Sequence, residues 1–393
     1  MLISKIYPAL LMTTILLTGC SSTQTVKQTA PTNFEQLLND QVFPDYQLYR
    51  IETIEEVFAL DQEMKDFVRN KLITEKYYLR RASKLLKHIF SKEDIDLAYQ
   101  NNANLTAAQA YHSKTANCMS LTIMAYALAT EAGLNVKFQS VKVPEYWIRN
   151  GEHNMLTGHV NLSVTEDRDP HMLVVYGKEI MAIDFDPSVY RSRFPKKTIS
   201  KQDMLAIFYN NKGADALVER NYDKAYAYFK SAIKANPTFS SSWGNLGILY
   251  RFNKHYNLAE KSYNVAISLD KDNLTAYKNL TYVLRRQGDL EAVERINNML
   301  NEKRHKNPYY QAMLADEALF RGEYLLAKRL FNKAIRLKKS GHEFYYGLAK
   351  VYYALGEAAK AEKAIKKAIS FNQFPSTESQ YVAKLNFIRR NNE

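Results

Sequence analysis

Apolar and polar positions along this chain follow three periods, and each predicts its own kind of element. After Cys118 the apolar positions 121, 124, 125 and 128 recur at helical spacing, which predicts a helix with one buried face and Cys118 in its first turn. Residues 136–143, 159–164, 172–176 and 180–185 read as strands. His159 alternates there with Val160, Leu162 and Val164, so it points away from the face those residues bury. Between the first two strands, residues 144–158 read as a polar loop with Trp147, Arg149 and His153, placed to wall a cleft. Residues 34–90 read as helices: Thr53 can cap one running through Ile54, Val57, Phe58, Leu60 and Met64, and Leu79, Leu85, Leu86 and Ile89 form a second stripe. Thr106 with Gln109 has the spacing of a capping box. From about residue 206 a third period takes over, of 34 residues.

Gly213, Ala225, Phe229 and Ala232 return in that period as Gly247, Ala259, Tyr263 and Ala266, while Lys271 stands where Pro237 would recur. A third copy begins near 274 with Tyr277 and Leu280 and slips in its second half. A fourth holds Leu314, Ala315, Ala327, Phe331 and Ala334, and a fifth Tyr345, Leu348, Ala349, Tyr352, Ala361, Ile365 and Ala368. Small residues recur where paired helices approach and larger ones where gaps are filled. With Trp243-Gly244-Asn245-Leu246-Gly247 and Tyr250, the pattern resembles the tetratricopeptide repeat. The resemblance implies five repeats over residues 206–375, closed by a capping helix in residues 376–393. It also implies that the first helix of each pair lines a concave groove. Arg251, Lys278, Tyr282, Arg285, Tyr309, Tyr346, Lys350 and Tyr353 would then face it. Cations beside aromatic rings suit an extended peptide with acidic or C-terminal carboxylate groups.

Composition sharpens this division. A length of 393 residues suggests two or three domains, and 46% apolar with 24% charged residues is ordinary for a soluble protein. Residues 1–205 hold 23 Lys+Arg and 23 Asp+Glu, net zero, whereas residues 206–393 hold 31 and 18, net +13. The whole excess lies on the repeats, where it would attract acidic protein segments or anionic headgroups. No nucleic-acid-binding motif accompanies it.

The candidate chemistry lies in residues 117–187. Cys118 is placed where backbone N–H groups and the helix dipole favour a thiolate. His159 could take its proton, and Asp186 or the alternative Asp184, on one strand face, could orient the imidazole. With Asn117-Cys118 heading a helix, the Gly133-Leu134 turn, His159 opening a strand and Asp186-Pro187-Ser188, the segment resembles the transglutaminase-like (papain-like) cysteine superfamily. Ala116 and Val160 depart from that family's usual glycine and aromatic. The resemblance implies an α+β domain over residues 34–200 and acyl transfer through a thioacyl enzyme, with no cofactor. His153 and His159 lack a third ligand at zinc-like spacing. The fold class expected is thus an α+β transglutaminase-like domain followed by an all-α tetratricopeptide solenoid. The second reading is a catalytically silent adaptor that recruits partners through its repeats.

Residues 1–20 combine Lys5, an apolar run too short to span a bilayer, and Leu17-Thr18-Gly19-Cys20. This resembles a bacterial lipoprotein signal. The resemblance implies a lipidated Cys20, a flexible tether at residues 21–33, and an envelope protein anchored by lipid in the outer membrane, facing the periplasm. Cys118 would then be an unpaired thiol in an exported protein.

Overall fold

The computed structural model describes residues 34–91, 94, 95, 97–100, 103–150, 153–165, 179–183, 194–372 and 375–390. Residues 35–393 form one unit of the fold. Cys20, the leader and tether, the expected strand at 172–176, Asp184 and Asp186 lie outside the described residues.

Thr53 caps a single turn, α1 (Ile54–Val57), in a reciprocal box with Glu56. The helix expected to continue through Met64 stops there, because Asp61 caps a new one, α2 (Gln62–Phe67), by accepting from the Met64 amide at 3.0 Å. Helix α3 (Tyr78–Phe90) buries Ala82, Leu85 and Ile89 and leaves Leu79 exposed. Thr106 and Gln109 form the expected capping box at the head of α4 (Ala107–Ser113).

Helix α5 (Cys118–Glu131) is the centre of this region. Asn117 caps it by accepting from the Ser120 amide at 2.9 Å. Gly133, at φ +72°, ends it and lets the Leu134 amide reach back to the Ala129 carbonyl at 2.9 Å. Apart from Tyr126, every residue from 119 to 129 is buried. Such a helix belongs inside a core rather than on its surface, so the single buried face expected from the spacing understates its surroundings. Strands β1 (Ala98–Tyr99) and β2 (Thr115–Ala116) pair in parallel beside it.

A four-stranded antiparallel sheet covers α5. Its order is β5–β4–β3–β6, with β3 (Asn135–Asn150), β4 (His153–Thr165), β5 (Glu179–Ile183) and β6 (Lys196–Ile199). Residues 144–158, expected as a polar loop, are strand instead. They prolong β3 and β4 into a hairpin arm, with a register shift between Val141 and Tyr146. Pro144 lies inside that shift, where its missing N–H costs no ladder bond. His159, Asn161 and Ser163 are buried like their alternating neighbours Val160, Leu162 and Val164, so β4 is covered on both faces.

Ten helices then pair in sequence: α6 (Lys201–Val218) with α7 (Tyr222–Ala235), α8 (Ser240–Phe252) with α9 (Tyr256–Leu269), α10 (Leu274–Gln287) with α11 (Leu290–Arg304), α12 (Pro308–Phe320) with α13 (Tyr324–Leu337), and α14 (His342–Ala354) with α15 (Ala358–Phe371). Helix α16 (Pro375–Arg390) packs Tyr381 and Leu385 against Tyr345, Ala361 and Ile365. The glycines mark closest approach: a Cβ on Gly247 would lie 2.5 Å from the Tyr263 ring, and one on Gly213 2.6 Å from Phe229. The expected slip in the third copy does not occur. Val293 and Leu300 keep the buried places of Ala259 and Ala266, and half-buried Asn297 takes the place of the aromatic Tyr263.

The two regions share a core. Met204, Leu205, Phe208 and Tyr209 of α6, with Tyr228 and Ala232 of α7, join the cluster around α5. Burying a large apolar side chain contributes about 1.5–3 kcal/mol, so this junction is a packed interface rather than a hinge. The chain is therefore an N-terminal α+β region followed by a long all-α repeat array.

Candidate functional site

Cys118 opens α5, as its spacing predicted. Its thiol donates to the Gly158 carbonyl oxygen at 3.9 Å, an acceptor that cannot serve as a base. Asn117, beside it, has structural work: its Nδ2 donates to Asn104 Oδ1 at 2.6 Å, and Asn104 Nδ2 donates to Asp215 of α6 at 2.6 Å. Burial pushes the Asp215 carboxyl up. This network ties the head of α5 to the first repeat. The acyl-transfer reading of Cys118, His159 and Asp186 is overturned, because among the described residues no three His, Cys, Asp or Glu side chains converge as a site. The cysteine peptidase or transamidase expectation falls with it. Cys, His and Asp in family order are a pattern along a chain, whereas a catalytic centre requires convergence in space. His112, near the expected thiol entrance, instead pairs with Asp61, whose hydrogen bond raises its pKa.

The expected groove residues divide into two groups. Lys350 is paired with Asp316 at 3.0 Å, Tyr309 packs edge-on against Phe344 at 5.5 Å, and Tyr346 stacks on Tyr381 at 4.6 Å. Tyr346, Lys350 and Tyr353 line a small pocket of about 100 Å³ with Ala349, Ile365 and Lys384. The second group stays open. Tyr282 is 47% exposed; the Arg251 guanidinium lies 5.0 Å from its ring centre and the Lys278 ammonium 5.9 Å. Arg285 is exposed on the same helix. Among the described residues, none of Arg251, Lys278 and Arg285 forms an ion pair. Burial lowers the Lys278 pKa, the nearby Arg285 and Arg304 charges lower it further, and Glu317 opposes them without reversing the shift.

Two segments outside the repeats dock on them, and neither was legible as a contact. Residues 35–52 form a strap across α7 and α8, built of short 3-10 turns at Asp40–Val42 and Pro44–Leu48. Phe43, 1% exposed, stacks on Tyr226 at 4.7 Å and tilts against Tyr250 at 5.9 Å. Asp40 accepts from Lys230 Nζ at 2.6 Å and from the Tyr226 hydroxyl at 2.7 Å. Partial burial pushes the Asp40 carboxyl up, but hydrogen bonds from Lys230, Tyr226 and Tyr46 outweigh it and hold the pKa below its usual 3.8.

The second segment is the hairpin arm. Glu145 accepts two bonds from Arg304, from Nε and Nη2, each 2.7 Å. Its backbone carbonyl accepts from Asn307 Nδ2 at 2.9 Å. Trp147 lies 5.6 Å from the Tyr310 ring, and the Arg304 guanidinium sits 5.2 Å from the Trp147 ring centre and 5.1 Å from that of Tyr310. Lys142 and Lys303 both reach Asp272, each at 3.0 Å. Trp147 is thus committed to the repeats and not to a cleft wall.

Comparison with known proteins points to the repeats. Family models described as tetratricopeptide repeat match residues 228–261 and 312–375. The human Protein O-mannosyl-transferase TMTC3 is 27% identical over 190 residues, which is 42% of this chain and 20% of that protein. The Arabidopsis thaliana tetratricopeptide repeat domain-containing protein PYG7, chloroplastic, is 32% identical over 89 residues, 22% of this chain and 30% of that one. The chain thus spans under a third of either relative. Among solved structures, Pseudomonas aeruginosa pilF is similar with a TM-score of 0.29 and 16% identity, covering 49% of this chain and 88% of that one. None of these similarities supports a transglutaminase-like domain or a lipoprotein. Matched models, period and paired helices agree on one conclusion: the chain carries a tetratricopeptide-repeat domain behind its α+β region.

Proposed function

We propose that this protein is an adaptor: the α+β region braces the repeat array at its first repeat and, through the arm, at its third and fourth, and the array recruits a protein partner. The observation that carries this reading is the open belt of Arg251, Lys278 and Arg285 around exposed Tyr282, in which none of the three cations forms an ion pair among the described residues. The Arg285 and Arg304 charges repel that of Lys278 by more than Glu317 offsets, and holding Lys278 half-buried among them costs stability that an incoming acidic segment would return. The net charge of +13 in residues 206–393 adds a long-range attraction for such a partner.

A photocrosslinking residue at position 282, compared with one at Lys261, tests the reading in the native cell. A discrete protein adduct from position 282, absent from 261 and lost in Lys278→Glu with Arg285→Glu, is expected. Equal adducts from both positions would remove the belt as the recruiting surface. Lipidation at Cys20 would place the adaptor at the cell envelope. Labelled fatty acid incorporated by the native chain but not by Cys20→Ser is the expected result, and equal labelling would refute the anchor.

A further inference from the structure

The chain displays the same docking chemistry twice against its own repeats. In the strap, Asp40 meets Lys230 while Phe43, three residues on, stacks between Tyr226 and Tyr250. In the arm, Glu145 meets Arg304 while Trp147, two residues on, tilts against Tyr310. Each time a carboxylate pairs with a cation of the array, and an aromatic ring just downstream packs on a tyrosine. Both repeat surfaces are thereby covered.

The Arg251–Lys278–Arg285 belt has the receiving half of this arrangement, and among the described residues none of its three cations forms an ion pair. Two cations lie over the ring of Tyr282, which is 47% exposed. Arg304, which receives the arm, closes α11, the helix that pairs with the α10 carrying Lys278, Tyr282 and Arg285. The open belt therefore adjoins the covered one.

We infer that this belt is the docking site for an extended segment of a partner protein carrying a carboxylate two or three residues ahead of an aromatic ring. The inference rests on the adaptor reading and names the chemistry of its ligand. The carboxylate takes charge-assisted hydrogen bonds from Lys278 or Arg285, and the ring covers Tyr282 as Trp147 covers Tyr310. An apolar helix would not answer the clustered charge. A polyphosphate chain would answer the charge but leave the tyrosine without a specific role.

The test uses the full chain and two labelled peptides, one copying residues 38–46 and one copying residues 143–148, read by fluorescence anisotropy. Both are expected to bind, each weakening at least tenfold when its acidic residues become amides or its aromatic residues become alanine. Lys278→Glu with Arg285→Glu should weaken binding at least tenfold, and Tyr282→Ala should weaken it severalfold with the circular dichroism spectrum unchanged. Binding should fall as salt rises. Unaltered binding to these variants would overturn the inference, since the peptides would then be occupying the strap or arm sites. Tight binding of an oligodeoxythymidylate that the peptides cannot displace would overturn it in favour of a phosphate ligand. If position 282 still yields its crosslinked adduct while neither peptide binds, the inference fails and the adaptor reading stands.

Discussion

Lys230 and Lys278 lie in the first and third repeats of the same array and meet opposite circumstances. Lys230 is covered by the strap, bonded to Asp40 at 2.6 and 2.8 Å and to the Tyr46 hydroxyl at 2.8 Å. Burial lowers its pKa, but the bonds it donates to Asp40 and Tyr46 more than restore it, so the net shift is upward. Lys278 has the burial and only the more distant pull of Glu317, which the Arg285 and Arg304 charges outweigh, so its net shift is downward. The same residue type therefore serves stability at one site and stands in reserve at the other. On the adaptor reading, an array with a net basic face uses some of its cations on its own chain and leaves the rest for a partner.

The largest expected effect concerns the covered site. Phe43→Ala removes a ring packed between Tyr226 and Tyr250, and should destabilise the fold by about 3–5 kcal/mol, measured by urea unfolding. A loss under about 1 kcal/mol would show that the strap merely rests on the array, and the contrast with the open belt would collapse.

Next in size is the arm. Arg304 and Glu145 have side chains only 5% and 17% exposed. Glu145→Ala would leave a buried guanidinium without its carboxylate, a loss of about 3 kcal/mol. Hydrogen exchange should then quicken in β3 beyond Val141 and at the start of α12. Exchange unchanged in both would mean that Trp147 alone holds the arm.

Much of this was legible in the sequence, for reasons that particular residues make plain. The array announced itself because Gly213 and Gly247 must be small where Phe229 and Tyr263 press on them, and the steric demand repeats with the helix pair. The third copy misled because Asn297 breaks the aromatic series while Val293 and Leu300 quietly hold the frame. Helix α5 was legible through its cap and its apolar run. The arm was not: a polar stretch containing Pro144 carries little strand signal, and its purpose depends on Arg304, 159 residues away from Glu145. The strap lacks any period, since 3-10 turns bury one ring at a time. The acyl-transfer site was misread because order along the chain stood in for convergence.

Smaller effects should appear with pH. Asp40 is held below 3.8 in the fold, so its contribution is present above that value and is lost as pH falls through the lower folded value. Lys230 is raised above 10.5, so its contribution is present below that value and is lost as pH rises through the folded one. Lys278 is lowered, so its burden on the fold lifts as pH rises through its folded value towards 10.5. In alkaline titration of unfolding midpoints, Lys230→Met and Lys278→Met should therefore change the slope in opposite senses. Parallel slopes would remove the distinction between the two sites.

The smallest effect is the most telling, and it is read at neutral pH. If the Lys278 belt is kept for a partner, the fold does not need its charge. Unfolding free energies of Lys230→Met and Lys278→Met, measured side by side with the unaltered chain, decide this. Lys230→Met should lose about 1–2 kcal/mol with its charge-assisted bonds to the strap. Lys278→Met should unfold at the same denaturant concentration as the unaltered chain or a higher one. An equal loss from both substitutions would contradict the claim, because Lys278 would then be serving the fold just as Lys230 does.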